Sequence, residues 1–202
     1  NPLPPLPPRT VLRKGTYTIE SLLGTGGFAH VYKARDRNGH PFALKQCKAN
    51  DAETNMQFGA ELAILAMLAP DCKYFPVVYE RFAETPSGAQ GESSFAAMEY
   101  VPGTTLDKVL DERLAHGRGP CPEAEVTGWM VQLLEALEYA HSSRVIHRDV
   151  KPSNVMLLPD GKTIKIIDVG IAKVGGEGVK TEASGAGVSP GYSPPEQYVS
   201  RG

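Results

Sequence analysis

At 202 residues the chain is long enough for one large domain or two small lobes with a buried core, and its 41% hydrophobic and 22% charged content is that of a soluble globular protein. A formal net charge of -2, from Lys+Arg 21 against Asp+Glu 23, speaks against nucleic acid or an anionic membrane as the main partner. Three widely spaced cysteines (Cys47, Cys72, Cys121) without a C-x-x-C pair argue against a disulfide framework or zinc site and fit a reducing cytoplasm, and no apolar run reaches the length of a membrane span.

Residues 1–9 hold five prolines, which exclude helix and central strand. The expected element is a stiff, extended linker over 1–14; Pro4-x-x-Pro7-x-Arg9 also matches the spacing of proline-rich ligands, the less favoured reading. A strand begins at Thr16–Ile19, a glycine-rich turn covers Gly24–Ala29, and Val31–Ala34 returns. Asn38-Gly39 marks the next turn and Phe42–Lys45 the third strand. Phe58, Leu62 and Leu65 give the stripe of a helix over Asn55–Leu68, closed by Pro70 and Pro76. Two further strands, Val77–Phe82 and Phe95–Tyr100, flank a polar loop. A short helix is expected from Thr105 to about His116. A longer one starts at Pro122 and shows Val126, Met130, Leu133, Leu137 and Ala140 as its apolar stripe. Val155–Leu158 and Thr163–Ile167 flank Pro159-Asp160-Gly161 as a hairpin, and a glycine-rich stretch follows from Gly170 to Gly191. This order, mostly strands and then mostly helices, is that of an α+β fold in two segregated halves.

Several motifs along this order carry chemistry. Gly24-Thr25-Gly26-Gly27-Phe28-Ala29-His30-Val31 sets a glycine turn between two strands, where backbone N–H groups can approach phosphate. Lys45 ends an apolar strand. Glu61 lies on the inward stripe of the following helix, where a carboxylate needs a partner, and Glu53 precedes that stripe; the resemblance set out below implies Lys45 as the partner, of Glu61 first and of Glu53 as the fallback. His147-Arg148-Asp149-Val150-Lys151-Pro152-Ser153-Asn154 places a base, a cation and a metal-capable amide on one short loop, the combination that phosphoryl transfer requires. Asp168 ends an isoleucine-rich strand as Asp168-Val169-Gly170. Ser189-Pro190-Gly191-Tyr192-Ser193-Pro194-Pro195-Glu196 follows the glycine-rich stretch.

From about Tyr17 to Gln197 these motifs, in this order, resemble a protein kinase of the serine/threonine type, most like the bacterial ones. The resemblance implies a two-lobe fold, with an ATP-binding N-lobe over 15–101 and a C-lobe over 102–202. Gly24 and Gly26 would contact the nucleotide phosphates, and Val31 and Ala43 would line the adenine pocket. Lys45, held by Glu61, would grip the phosphates. Met98-Glu99-Tyr100-Val101-Pro102-Gly103 would be the hinge, with adenine bonded to the backbone of Glu99 and Val101; Met156 also belongs to the nucleotide site. Asp149 would orient the proton of the substrate hydroxyl, Lys151 would neutralise the moving phosphoryl group, and Asn154 and Asp168 would bind Mg2+. Lys151 marks the serine/threonine branch, and Arg148 would pair with a phosphorylated activation segment. Thr181, Ser184 and Ser189 are candidate phosphorylation sites.

The chain departs from the family at Ala29 (glycine), Val169 (phenylalanine), Ser189 (threonine) and Pro194 (alanine). Ala29 is expected to stiffen the glycine-rich turn, and Val169 to weaken the separation of active and inactive positions. The family continues beyond the position of Gly202 with further helices, so a fragment ending after the activation segment is expected, with part of the 122–141 helix uncovered. The first residue, Asn rather than Met, fits the same expectation. The implied activity is transfer of the ATP γ-phosphate to a serine or threonine hydroxyl of a protein substrate. The alternatives are a catalytically silent module that binds nucleotide or a partner, and a small-molecule phosphotransferase on a related fold.

Overall fold

The computed structural model describes residues 3–49, 51–89, 91–169, 173–174, 189–193 and 195. They fall into two units, Asn1–Ala66 with Pro76–Val101, and Met67–Phe75 with Pro102–Gly202.

The first unit is built on an antiparallel sheet of β1 (Val11–Leu12), β2 (Tyr17–Thr25), β3 (Ala29–Asp36), β4 (Pro41–Cys47), β5 (Val78–Glu84) and β6 (Ser93–Glu99), in the order β1-β2-β3-β4-β6-β5. β2 starts within the expected Thr16–Ile19 and runs to Thr25, two residues into the stretch expected as the glycine-rich turn. Pairing with β3 carries it that far through two register shifts, at Ile19/Ser21 and Leu22/Gly24; the exposed Leu22 pairs with Tyr32, and the second shift passes over the exposed Leu23.

Side chains alternate between the two faces of a strand, and paired residues share a face. Tyr32, Ala34, Leu44, Phe95 and Ala97 therefore form one buried face, joined by Leu12, Tyr17 and Ile19. The N-terminal residues cover it. Leu6 packs against this cluster, Leu12 is fully buried, and the Leu6 N–H donates to the Tyr32 hydroxyl at 2.9 Å. The described residues of the proline-rich segment are thus docked on the sheet, not a free tether. Arg9 donates to the Ile19 carbonyl (2.8 Å) and the Ile19 N–H donates to Thr10 (2.9 Å), so extended backbone finds partners that prolines cannot supply within the segment itself.

On the opposite face the registers Gly24↔Val31↔Lys45↔Ala96 and Lys33↔Ala43↔Met98 line up Val31, Ala43, Lys45 and Met98. Helix α1 (Ala52–Leu68) starts three residues before the expected Asn55. The Asp51 carboxylate accepts from the Thr54 N–H and hydroxyl, each at 2.8 Å, closing the first turn. Phe58, Glu61, Leu62 and Leu65 are buried on its inward stripe.

The second unit holds α2 (Leu106–Ala115) and α3 (Glu123–Ser142). It has a small sheet of β7 (Thr104–Thr105), β9 (Val155–Leu157) and β10 (Ile164–Ile166), and a two-stranded pair of β8 (Val145–Ile146) with β11 (Lys173–Val174). Pro122 stands just outside α3 and its carbonyl accepts from Glu125 and Val126. The buried stripe of α3 is Trp129, Leu133, Ala136 and Ala140; Val126 and Met130, expected inside, are 36% and 39% exposed. The helix is rotated to bury Trp129, whose indole N–H donates to the Gly161 carbonyl at 3.3 Å.

Gly103 (φ 135) leads into β7, and a Cβ there would collide with the Leu157 carbonyl oxygen, so only glycine fits. In the β9–β10 turn the Asp160 carboxylate accepts from Lys162 N–H, Thr163 N–H and the Thr163 hydroxyl. Those bonds, led by the Thr163 hydroxyl, hold its pKa down at about 2. Among the described residues no helix is long and apolar enough to cross a membrane, and the three cysteines are free.

Candidate active site

The site is built from short elements whose geometry is fixed by backbone bonds. In the second unit, β8 delivers the chain into His147–Lys151, and a single 3-10 turn, Pro152–Asn154, carries it into β9. Asn154 N–H donates to the Lys151 carbonyl (3.0 Å), and Ile167 N–H donates to the Asn154 carbonyl (3.0 Å), which ties this loop to the residues that lead from β10 to Asp168. Arg148 adopts φ 67, a left-handed conformation unusual for a residue that carries a Cβ and costing on the order of 1 kcal/mol.

Asp149 is the centre of the loop's polar contacts. One carboxylate oxygen accepts from the Ser189 hydroxyl at 2.6 Å. The other accepts from the Lys151 ammonium at 2.8 Å and the Asn154 amide at 2.9 Å. Asn154 also donates to the Asp149 carbonyl (2.9 Å), and Lys151 to the Ser189 oxygen (2.8 Å). Burial alone would raise the Asp149 carboxyl, but the bonds from Lys151, Ser189 and Asn154 outweigh it and hold the group below the ordinary carboxylate value. Asp149 is therefore ionised at neutral pH and able to accept a proton or a hydroxyl hydrogen bond.

His147 is buried, and burial lowers its pKa against the opposing charges of Asp168 and Asp149. Its Nδ1 accepts from the Asp149 N–H at 3.3 Å. It is a packed residue that burial keeps neutral.

Ser189 is the residue whose place the sequence did not reveal. Its resemblance to a family threonine was legible, but a contact 40 positions away from Asp149 leaves no local trace. Its backbone is fixed by a turn, since the Ser189 carbonyl accepts from Tyr192 and Ser193 and its N–H donates to the Ser193 hydroxyl at 2.9 Å. The hydroxyl considered as a phosphorylation site is thus engaged with the Asp149–Lys151 pair. Thr181, Ser184, Gly170, Pro194 and Glu196 lie outside the described residues.

In the first unit, Lys45 and Glu61 form a directly hydrogen-bonded ion pair with side chains 13% and 5% exposed. The partner is Glu61 and not Glu53 because Glu61 shares the inward stripe of α1 while Glu53 sits in its exposed first turn. Val31 and Ala43 lie on the Lys45 face of the sheet. Gly24 is the next-to-last residue of β2, and the turn after that strand is closed by Gly26 N–H donating to the Ala29 carbonyl at 2.9 Å. Ala29 begins β3, paired with Cys47 and without positive φ, so its methyl group is accommodated without backbone strain. Glu99 exchanges bonds with Val77, its N–H donating to the Val77 carbonyl (2.8 Å) and its carboxylate accepting the Val77 N–H (3.2 Å); Val101 is buried two residues on. Met156, in the second unit, pairs with Lys165 and Thr105 and is half-buried.

Magnesium takes hard oxygen ligands and commonly only one or two from protein, the rest coming from phosphate and water. Asp168 and Asn154 fit that demand. The Asn154 nitrogen is committed to Asp149, which turns its amide oxygen, the metal-capable atom, the other way.

The two-unit fold, an antiparallel sheet with its buried lysine–glutamate pair and a loop centred on an ionised aspartate, defines a class of phosphoryl-transfer domain. The sequence comparison agrees: the protein kinase domain family matches residues 17–201. The chain belongs to the protein kinase domain family. It is 34% identical over 186 residues to a protein of Clostridium acetobutylicum named probable serine/threonine-protein kinase, covering 90% of this chain and 26% of that protein. To serine/threonine-protein kinase F of Synechocystis it is 31% identical, covering 92% of this chain and 39% of the relative. To serine/threonine-protein kinase PknA of Mycobacterium tuberculosis it is 32% identical, covering 94% and 43%. The chain thus spans less than half the length of these relatives.

Proposed function

We propose that the protein is a serine/threonine protein kinase that transfers the γ-phosphoryl group of ATP, with Mg2+, to a serine or threonine hydroxyl of a protein substrate in the cytoplasm. The observation that carries this reading is the Asp149 carboxylate, kept ionised by Lys151, Asn154 and Ser189. An ionised carboxylate accepts the hydrogen bond of an incoming hydroxyl, directs its lone pair and takes its proton as the new P–O bond forms. Lys151, 2.8 Å from that carboxylate, places its positive charge beside the transferring group. Lys45, oriented by Glu61, holds the nucleotide phosphates, with Gly24 and Gly26 offering backbone N–H groups. Val31, Ala43, Val101, Met156 and the backbone of Glu99 receive the base. Asn154 and Asp168 hold the metal, which when bound neutralises phosphate charge.

Lys151 supports the serine/threonine branch over small-molecule phosphotransfer, and the presence of Lys45, Asp149, Asn154 and Asp168 together supports an enzyme over a silent module. The relatives' printed names point the same way. The test is incubation of the purified protein with ATP and Mg2+, a panel of serine-, threonine- and tyrosine-only peptides, and small alcohols. Phosphoserine or phosphothreonine, lost when EDTA removes the metal, is the expected product. Phosphate on small alcohols alone, or ATP binding with no transfer to any acceptor, would overturn the reading.

A further inference from the structure

The buried imidazole of His30 has no part in the chemistry above, yet it joins two segments that matter to it. His30 is 3% exposed and lies on the strap-covered face of the sheet, one strand position from the glycine-rich turn. Its Nε2 is 2.9 Å from the Leu3 carbonyl oxygen, and its Nδ1 is 3.0 Å from the Thr25 hydroxyl. A carbonyl can only accept, so Nε2 carries the proton. In the neutral ring Nδ1 is then an acceptor, and the Thr25 O–H must donate to it. The Leu3 carbonyl thereby sets the tautomer, and the tautomer sets the direction of the bond that holds Thr25.

A second path leads from the same residue to the same turn. The Leu3 N–H donates to the Lys48 carbonyl, the Lys48 N–H donates to the Phe28 carbonyl (2.9 Å), and the Lys48 ammonium donates to the Gly26 carbonyl (2.6 Å). Leu3 is thus bracketed by two chains of bonds that end on Thr25, Gly26 and Phe28. Leu6, three residues on, is anchored separately by its N–H to the Tyr32 hydroxyl, which itself donates to the buried Gln46 amide oxygen at 2.6 Å. Gly24 and Gly27 have open space around their Cβ positions, so packing contributes little to the turn's conformation and these tethers contribute much.

We infer that the proline-rich strap is a positioning element for the nucleotide, acting through His30 as the positioning residue that fixes the glycine-rich turn. This rests on the proposed kinase reading for its consequence, though not for the tether itself. Prolines suit the part, because a segment already extended loses little entropy when it docks. The strap becomes a handle: a partner that pulled residues 3–9 off the sheet would loosen the phosphate-binding turn without touching the site.

The test uses three variants of the protein: a chain beginning at Leu6, which removes the Leu3 bracket but keeps the Leu6 anchor; Thr25→Val, an exposed change that removes the hydroxyl donor; and His30→Gln, which keeps a donor toward Leu3. Amide hydrogen exchange without nucleotide is read over Gly24–Ala29, and the histidine 15N spectrum reports the His30 tautomer. Loss of one such bond is expected to speed exchange about 3- to 10-fold. In the chain beginning at Leu6 and in Thr25→Val the faster exchange should be confined to the turn. The Nε2–H signature of the intact chain should become mixed when Leu3 is absent, and His30→Gln should retain most of the protection. KM for ATP should rise by a similar factor with kcat little changed. Unchanged exchange in both the shortened chain and Thr25→Val, or an Nδ1–H tautomer in the intact chain, would overturn the inference. Absence of phosphotransfer by the intact chain with the exchange results as expected would sink the kinase reading and leave the tether standing.

Discussion

Asp149 shows how much a single ionisable group depends on neighbours that the local sequence does not contain. Three donors reach it, two from its own loop and one from Ser189. Ser189→Ala should therefore lower kcat about tenfold or more, the scale of a hydrogen bond to a charged group, while Ser189→Thr should retain activity. Steady-state kinetics on a peptide acceptor check this, with thermal melting to confirm that the variant is folded. Lys45, Asp149, Asn154 and Asp168 were legible in the sequence because each sits in a motif whose spacing is local. Ser189's contact was not, because the chain returns to the loop from 40 residues away. The pairing of Lys45 with Glu61 lay between these cases. The helical stripe pointed Glu61 inward, and only the register Val31↔Lys45↔Ala96 puts the lysine on the face that meets it.

At the scale of elements, the order of the longer strands and helices was readable, the two-residue strands β1, β7, β8 and β11 were not, and the departures have physical causes. Periodicity assigned the stripe of α3 to Val126, Met130, Leu133, Leu137 and Ala140; Leu133 and Ala140 are buried, but the buried face turns toward Trp129 and Ala136 and leaves Val126 and Met130 at the surface. The linker reading of the first residues followed from proline content, which excludes helix but says nothing against docking as an extended strap. β7 was missed because two threonines carry no pattern. It depends on Gly103, where Gly103→Ala should lower stability by about 1–3 kcal/mol from backbone strain and add the clash with Leu157, read as a fall in melting temperature. The β9–β10 turn offers a pH test. The folded pKa of Asp160, about 2, lies below the ordinary carboxylate value, so its contribution is complete above about pH 4 and is lost as pH falls through 2. Asp160→Asn should lower the melting temperature at pH 7, where the carboxylate's contribution is complete, and flatten its decline over that acid window.

For the molecule as a whole, the first unit carries the buried Lys45–Glu61 pair and the second the Asp149 network. Removing one partner of a buried pair strands the other. Lys45→Met should therefore cost about 3 kcal/mol of stability, seen in denaturant melts, as well as phosphotransfer. Glu61→Gln, which keeps a polar partner, should be milder in stability and still reduce the rate. The central claim is that an ionised Asp149 makes this chain a protein kinase, and replacing that one charge tests it most directly. Phosphotransfer from ATP and Mg2+ to a serine-containing peptide is measured by mass spectrometry for the intact protein and for Asp149→Asn, with nucleotide binding followed in both. We expect the intact protein to transfer and Asp149→Asn to bind nucleotide normally while transferring about 10²- to 10⁴-fold more slowly, the range for a positioned general base. Transfer by Asp149→Asn at the intact protein's rate would contradict the assignment.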